Sequence, residues 1–360
     1  MTIPQWAGGL QANQQKNQSL DPIKAIDVID MPKATSTANA NIALVKYWGK
    51  RDSKLILPQN GSISMTCDGL STITTVEFSP EYKQDIIIIN DEELRKDEKD
   101  VLGHLDRIRS LAKISDKAKV VSETNFPVAA GLASSASGLA AITLASAKSA
   151  GLNLNQKDLT ILTRQGSGSA CRSICDGFVE WHKGQKEDGS DSFAETIAPK
   201  THWPEFRMIA TILSEKKKLV DSRGGMSQSV ANCPYYFSWV KEAEKDLNLM
   251  RIGIEEKNFE MVGSTAESSC LKMHAVMMTT TPAIIYWIPQ TLEVINNVRV
   301  MRQEGIQAYF TIDGGPQVKV ICLEKDSEKI NKKLQELESV KKTVICKPGD
   351  GARLLDKHLF

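Results

Sequence analysis

Apolar residues recur along the chain at two spacings, the alternation typical of strands and the spacing of about three to four residues typical of helices. In the first half, these patterns predict strands at residues 72–78, 85–90 and 119–123, and helices at residues 91–113, 139–150 and 155–166. In the second half, they predict strands at residues 206–213, 308–312, 318–323 and 342–346, and helices at residues 227–246, 248–267, 282–304 and 327–340. Helices and strands interleave in both halves, which indicates mixed α and β structure.

The character of the sequence changes near residues 199–204, where two prolines precede a new strand. A chain of 360 residues is long enough for two hydrophobic cores, so we place a domain boundary there. The first 33 residues are rich in Gln and Asn and have no continuous apolar run, which favours a flexible or loosely docked extension. The predicted organisation is an N-terminal extension at 1–33 and two domains at 34–203 and 204–360.

The composition narrows the possible partners. The 45 basic and 44 acidic residues nearly cancel, so the whole chain offers no electrostatic field for nucleic acid or an anionic membrane, and any anion must be bound locally. The seven cysteines are odd in number and dispersed, and Cys171 and Cys175 have no second pair at metal-binding spacing, so we expect reduced thiols. No signal peptide and no stretch long enough to cross a bilayer is visible, and we expect a cytoplasmic protein.

Gly, Ala and Ser are frequent in the run at residues 125–136, just ahead of the predicted helix at 139–150. Backbone amides with little side-chain bulk can bind phosphate at such a place, because the positive end of the helix dipole adds to their effect. Ser134 and Ser135 add hydroxyl groups for phosphate oxygens or a magnesium ion. The Gly-Lys-Ser/Thr ending of a Walker loop is missing, so the loop predicts a different nucleotide fold. The alternative is that the small residues only permit close helix packing.

The run Gly-Ser-Gly-Ser-Ala-Cys-Arg at residues 166–172 places hydroxyl groups and an arginine near a predicted helix start. Ser167 and Ser169 can donate hydrogen bonds to an oxyanion. Arg172 offers a planar, permanently charged fork that suits a carboxylate or a phosphate. The alternative is a flexible Gly and Ser linker that ends in a surface arginine.

Basic and aromatic side chains converge in residues 41–51, where Lys46 and Lys50 bracket a Tyr-Trp pair after a short apolar strand. Lys46 could stabilise negative charge in a reaction, and Lys50 could bind a terminal phosphate. The alternative is an ordinary strand end with solvated lysines.

A single carboxylate follows a predicted strand in the run Tyr-Phe-Thr-Ile-Asp-Gly-Gly-Pro at residues 309–316. Asp313 is therefore the candidate general base, although an Asp that caps its own turn is the common use of Asp-Gly. Arg223, in the run Ser-Arg-Gly-Gly-Met at residues 222–226, could bind a further phosphate, and a solvated loop arginine fits equally well.

Together these motifs resemble the GHMP kinase superfamily and, within it, the diphosphomevalonate decarboxylases, from about residue 37 to the C-terminal region. The loop at 127–136 marks only the superfamily. The Lys-Tyr-Trp-Gly-Lys run at 46–50 and the run at 166–172 are specific to the decarboxylases, and the Asp-Gly-Gly-Pro turn at 313–316 resembles their catalytic turn. The resemblance implies an α+β, GHMP kinase-like two-domain fold, with an N-terminal domain like ribosomal protein S5 domain 2 and a ferredoxin-like C-terminal domain.

The resemblance also implies a reaction, in which ATP and magnesium serve to decarboxylate mevalonate 5-diphosphate to isopentenyl diphosphate. It implies that Asp313 orients or deprotonates the 3-hydroxyl, that Lys46 lowers the pKa of that carboxyl group, and that Arg172 holds the substrate carboxylate. The implied substrate-binding residues are Tyr47, Lys50, Ser167, Ser169, Arg172, Arg223 and Met226. The implied ATP-binding residues are Asn125, Pro127, Gly131, Leu132, Ala133, Ser134, Ser135 and Ala136, with Ser135 also a candidate magnesium ligand. Expected partners are these small molecules and a second copy of the chain in a homodimer.

Three departures from the family pattern concern packing. Gly314 stands where the family usually has Ala, Gln317 and Val318 stand in place of Asn-Ala, and Asp176 interrupts a Gly-Gly pair. They affect the shape of the turn but remove no functional group. The alternatives are a decarboxylase that acts on mevalonate 5-phosphate, a kinase that phosphorylates the mevalonate 3-hydroxyl without decarboxylation, and a non-catalytic binding protein. The retained catalytic residues argue against the last two.

Overall fold

The computed structural model describes residues 32–93, 99–126, 134–216 and 220–360. Nearly all of the predicted extension at 1–33 and the predicted loop residues 127–133 lie outside these ranges. The described residues belong to one unit, Met31–Phe360. None of its helices is long and apolar enough to cross a membrane, within the residues described.

A large mixed sheet organises the described residues. Its strands, with a separate β2-β3 hairpin, are β1 Ala34–Val45, β2 Lys50–Asp52, β3 Leu57–Pro58, β4 Ser62–Ser79, β5 Ile86–Ile89, β6 Glu92–Glu93, β7 Lys117–Thr124, β8 Phe178–Trp181, β9 Ala194–Ala198, β10 Phe206–Ile212, β11 Tyr309–Thr311, β12 Lys319–Leu323, β13 Lys342–Pro348 and β14 Arg353–Leu355. The main order is β11-β12-β10-β13-β4-β7-β5-β6, and β1 and β8 also pair with β4. The long strand β4 therefore joins the two predicted domains, since it pairs with β7 through residues 72–79 and with the end of β13 through residues 67–68.

Helices cover the sheet. They are α1 Lys99–Ala112, α2 Ser134–Ser149, α3 Gln156–Gly166, α4 Ser222–Asn232, α5 Tyr236–Glu255, α6 Phe259–Met278, α7 Pro289–Gln303 and α8 Glu324–Gln335, with a 3-10 helix η1 at Gly168–Ile174. One hydrophobic core lies around α1, α2 and α3, and another lies around α5, α6, β1 and β10. Helix α6 contacts both β1 and β11, which brings the ends of these two strands together.

Most strand predictions are confirmed, because long β-branched runs are strong signals. Several predicted helix boundaries are wrong. The helix predicted at 91–113 is α1 at Lys99–Ala112, and residues 92–93 form the short strand β6. The predicted helices at 227–246 and 248–267 are three helices, since Pro234 ends α4 and Asn258 caps α6 through a bond from the Met261 amide. Helix α2 begins at Ser134 rather than at 139, and α7 begins at Pro289 rather than at 282.

All seven cysteines are buried free thiols, as predicted. Cys171 illustrates their role: its thiol donates to the Gly168 carbonyl at 3.0 Å, and burial raises its pKa to about 12. Such a group stays protonated at neutral pH and serves packing.

Candidate active site

Asp313 follows β11 and lies between two buried lysines. Its Oδ1 accepts a hydrogen bond from Lys46 Nζ at 2.8 Å, and its Oδ2 accepts one from Lys319 Nζ at 3.1 Å. The lysine side chains are 1% and 0% exposed, whereas the Asp313 side chain is 27% exposed. Burial alone would raise the pKa of Asp313, but the ammonium groups of Lys319 and Lys46 outweigh it and hold the pKa well below its usual range. The site therefore presents an ionised carboxylate to solvent.

Lys46 is fixed along its whole length. Its Nζ also donates to the Ala43 carbonyl at 2.8 Å. Its backbone amide donates to Ser269 Oγ on α6 at 3.1 Å, and its carbonyl accepts from Asn60 Nδ2 at 2.8 Å. Because both the backbone and the ammonium group of Lys46 are bonded, the lysine keeps the Asp313 carboxylate in one position.

Arg172, on η1, is buried among neutral partners. Its Nε donates to Asn41 Oδ1 at 3.1 Å and to Ser64 Oγ at 3.0 Å, and its Nη1 donates to Ser62 Oγ at 2.5 Å. It is 2% exposed, and no carboxylate of the described ranges lies within 4.0 Å of it. Burial lowers its pKa, while the nearby charges, Asp313 among them, act in the opposite direction. A buried cation without a bonded counter-ion is suited to an anionic ligand.

Close packing explains the glycines of the run at 166–172. A Cβ on Gly166 would lie 2.8 Å from His104 Nδ1, and a Cβ on Gly168 would lie 2.7 Å from Trp181 Cη2. The helix expected here is a 3-10 helix, and its Ser169 carbonyl accepts from Asn41 Nδ2 at 2.9 Å. The run is therefore held against the same asparagine that holds Arg172.

Arg223 reaches this run from α4. Its Nη2 donates to the Gly166 carbonyl at 2.9 Å, and its Nη1 bonds Asp100 at the start of α1. The half-buried Lys50 lies nearby: burial lowers its pKa, and the charge of Arg223 lowers it further. The structure thus brings two predicted phosphate-binding cations to the end of α3, together with an acid that the sequence did not indicate.

Tyr47 and Met226 complete the predicted substrate side. The Tyr47 hydroxyl is buried and has no hydrogen-bond partner among the described residues, and burial raises its pKa, so the phenol stays protonated and can donate. Its ring meets Trp181 edge-on with 4.7 Å between centroids. Met226 is half-buried and packs against two of the hydrophobic cores.

The predicted ATP-binding residues are described only in part. Asn125 bridges a turn, since its Oδ1 accepts from the Ser71 amide at 2.9 Å and its Nδ2 donates to the Gly69 carbonyl at 3.2 Å. Ser134 begins α2, Ser135 is exposed and Ala136 is buried. The predicted contacts Pro127, Gly131, Leu132 and Ala133 lie outside the described residues.

No group of three or more His, Cys, Asp or Glu side chains in the described ranges could hold a metal ion. The exposed Ser135 hydroxyl lies in the first turn of α2, a position that favours a phosphate oxygen.

The sequence analysis missed Lys319, Asn41, Ser62 and Ser64. Lys319 had a signal: it stands in the run 318–322, where every residue is buried and the rest are apolar. A charged residue in such a strand needs a partner, which indicates a functional site. The departure at Gln317 also has a structural result, since its Oε1 accepts from the Leu213 amide at 2.5 Å and ties the catalytic turn to the end of β10.

Two family models match the chain. A diphosphomevalonate decarboxylase-like N-terminal domain matches residues 38–194, and a mevalonate 5-diphosphate decarboxylase C-terminal domain matches residues 208–352. The diphosphomevalonate decarboxylase ERG19 of Gibberella zeae is 39% identical over 317 residues, which cover 82% of each chain. The diphosphomevalonate decarboxylase of Bos taurus is 38% identical over 309 residues, covering 81% of this chain and 76% of the relative.

Solved structures of similar fold agree with these matches. A complex of MDDEF with MVAPP, AMPPCP and magnesium has a TM-score of 0.85 and 40% identity over 90% of this chain and 99% of its own. The mevalonate diphosphate decarboxylase of Staphylococcus aureus has a TM-score of 0.85 and 34% identity over 90% of this chain and 98% of its own. The expected α+β, GHMP kinase-like two-domain fold is confirmed. The chain belongs to the diphosphomevalonate decarboxylase family.

Proposed function

We propose that this protein catalyses the ATP-dependent decarboxylation of mevalonate 5-diphosphate, which yields isopentenyl diphosphate, ADP, phosphate and carbon dioxide. The observation that carries the proposal is the pairing of an ionised Asp313 between two buried lysines with a buried Arg172 that has no bonded carboxylate. The complex of the related MDDEF with MVAPP, AMPPCP and magnesium supports the same substrates here.

Asp313 acts on the tertiary 3-hydroxyl group. Its carboxylate accepts the hydrogen bond of this hydroxyl and orients the oxygen towards the γ-phosphorus of ATP. The oxygen bonds to phosphorus, the bond to ADP breaks, and the proton passes to Asp313. Because the pKa of Asp313 is held low, this proton transfer comes late, which suits a loose phosphoryl-transfer transition state that needs little basic assistance.

The two lysines balance the negative charges of the site during this step. Lys46 and Lys319 keep Asp313 ionised before the reaction, and their ammonium groups stabilise negative charge on the transferred phosphoryl group. Because both lysine side chains are buried, the effect of their charges is larger than in water.

Arg172 acts in the second step. Phosphate leaves from C3, where positive charge develops, and the bond between C2 and the carboxylate carbon breaks to form the new double bond and carbon dioxide. Arg172 grips the carboxylate beforehand and holds that bond in line with the electron-deficient centre. Its hydrogen bonds to Asn41, Ser62 and Ser64 keep the guanidinium in place.

The remaining site residues bind the anionic groups. The substrate diphosphate is bound by Tyr47, Lys50, Ser167, Ser169 and Arg223, with Met226 lining the site. The ATP phosphates are bound by Ser134, Ser135, Ala136 and Asn125 together with Pro127, Gly131, Leu132 and Ala133. Ser135 would be a ligand for magnesium, which would screen phosphate charge. The domains that enclose the site meet at residues 203 and 204, between the two matched family domains.

The test is turnover of purified protein with ATP, magnesium and each of three substrates, mevalonate, its 5-phosphate and its 5-diphosphate. We expect carbon dioxide and phosphate in equal amounts from the 5-diphosphate. Preference for the 5-phosphate would identify the monophosphate decarboxylase, and ADP formation without carbon dioxide would identify a 3-kinase. The anion contacts favour the diphosphate, because Arg223, Tyr47, Lys50, Ser167 and Ser169 together supply more of them than one phosphate requires.

The protein forms a homodimer in the cytoplasm. Tyr235 and Phe237, near the start of α5, are 62% and 67% exposed and offer apolar surface to a second copy. Light scattering after gel filtration tests this assembly, and a mass of one chain at micromolar concentration would contradict it.

A further inference from the structure

Trp181, at the end of β8, touches three parts of the proposed substrate site. Its ring lies edge-on to Tyr47 with 4.7 Å between centroids, and the Arg172 guanidinium carbon lies 5.9 Å from its ring centroid. It also packs on the backbone of Gly168, where an added Cβ would lie 2.7 Å from Cη2 and 3.1 Å from Cζ3. The indole is fully buried, so it does not itself reach the substrate.

Trp181 is fixed from behind by the loop that joins β8 to β9. Its Nε1 donates to Ser192 Oγ at 3.2 Å, and the Ser192 hydroxyl donates to the His182 carbonyl at 3.0 Å. Arg164, on α3, donates to the Gly189 carbonyl at 2.9 Å and to the Ser192 carbonyl. The loop is therefore tied to the helix that ends at the start of the run at 166–172.

Arg51 ties the same loop to the other side of the site. Its Nη2 donates to the carbonyls of Lys183 and Lys186 at 3.2 and 3.3 Å. Arg51 follows Lys50 on β2, so the loop is bonded to both segments that carry the proposed diphosphate-binding residues. The position of Trp181 is thus set by the elements whose side chains it supports.

We infer that Trp181 is a positioning residue that aligns the Tyr47 hydroxyl, the Arg172 guanidinium and the run at 166–172 for one substrate. The inference rests on the proposed function. Aromatic edge contacts and an arginine over an aromatic ring both stabilise a defined geometry, and close packing on a glycine leaves no freedom for the run. Substrate groups are therefore met by side chains that are already in place.

The test compares Trp181→Leu and Trp181→Phe with the control Trp203→Phe. Trp203 is equally buried but packs among Phe178, Phe206 and Phe259, away from the proposed site. We expect Trp181→Leu to raise KM for mevalonate 5-diphosphate about tenfold, with a smaller rise for Trp181→Phe and KM for ATP unchanged. The control should leave both KM values unchanged. Equal rises in both KM values, or none, for the Trp181 variants would overturn the inference.

A second measurement guards against simple loss of folding. Gly168→Ala places a Cβ against indole ring atoms of Trp181, and Trp181→Phe removes those atoms. The Gly168→Ala substitution should therefore weaken substrate binding more in the wild type than in the Trp181→Phe variant. Calorimetric titration with mevalonate 5-diphosphate measures this coupling without turnover. Additive effects would contradict the inference. A wild-type protein that binds but does not decarboxylate would contradict the proposed function instead.

Discussion

Asp313 combines two properties that oppose each other in a general base. The proposed reaction requires it to receive a proton, yet Lys319 and Lys46 hold its pKa well below the usual range. The same contacts fix both carboxylate oxygens, which leaves the accessible edge of the group in one orientation. Positioning of the nucleophile is therefore its larger contribution, and basicity is the smaller one.

Replacing Asp313 by Asn tests this role directly. Asp313→Asn keeps the size of the side chain but removes the charge between two buried ammonium groups. We expect kcat to fall about 10³-fold or more while ATP affinity, measured by calorimetry, is retained. Turnover within about tenfold of the wild type would remove Asp313 from the reaction.

Lys319 offers a pH-dependent test. Without its ammonium group, Lys46 alone lowers the pKa of Asp313, so that pKa rises and protonation inactivates the site at higher pH. We expect Lys319→Met to move the acid limb of kcat upwards by about one pH unit.

The control for this experiment is Lys272→Met, which removes a lysine 2.6 Å from Asp246, a carboxylate in another ion pair. Its acid limb should match that of the wild type. If the Lys319 and Lys272 variants behave alike, Lys319 does not act through Asp313.

At the scale of elements, the sequence patterns predicted whether a segment is a helix or a strand better than they predicted the residues where it begins and ends. Strands such as β10 and β13 were found because their apolar runs are bounded by polar residues. The breaks between α4, α5 and α6 were missed because a proline and a capping asparagine stand inside otherwise helical patterns. Helix α2 extends into residues 134–138, whose Ser, Ala and Gly side chains show no apolar periodicity, so the pattern missed its first turn.

The N-cap of α3 has an energetic effect that can be measured. Asn155 Oδ1 accepts from the Asp158 amide at 2.9 Å, and α3 ends at the run that packs on Trp181. Asn155→Ala should lower the free energy of unfolding by about 1 kcal/mol in urea titrations. Asn153→Ala, at an exposed position two residues earlier, is the matched control and should have little effect. Equal losses in both variants would show that the cap bond does not stabilise the helix.

In the site too, motifs of neighbouring residues could be predicted from the sequence, whereas contacts between distant residues could not. Each motif was visible as a run of neighbouring residues, and the structure brings several of these runs together. The pairing of Lys46 with Asp313 joins positions 267 residues apart, and the contact of Arg223 with Asp100 joins positions 123 apart. No spacing in the chain encodes such contacts, so Asp100 and Trp181 had to be read from the fold.

At the scale of the whole molecule, two buried histidines govern the response to acid. Burial lowers the pKa of both His104 and His274 to about 3, and each is at most 2% exposed. In the unfolded chain, both titrate near pH 6.5. The unfolded state therefore binds more protons between these values, and stability is lost as pH falls below about 6.5.

His182 acts in the opposite direction. Its Nδ1 lies 3.3 Å from Glu180 and its Nε2 lies 2.7 Å from Glu195, and these carboxylates raise its pKa despite partial burial. A histidine of this kind stabilises the fold below its ordinary pKa, and that contribution disappears as pH rises through the raised value. Because His182 is a single, partly exposed group, it offsets only part of the loss of stability that the two buried histidines cause at low pH.

The net result is a protein whose stability decreases between pH 7 and pH 5. Each buried histidine accounts for about 2 kcal/mol of that decrease, because 1.5 pH units below the ordinary pKa correspond to this amount. In urea titrations at the two pH values, His104→Gln and His274→Gln should each reduce the difference in unfolding free energy by about this much. A pH dependence as large in both buried-site variants as in the wild type would mean that carboxyl groups, rather than these imidazoles, set the acid sensitivity of the fold.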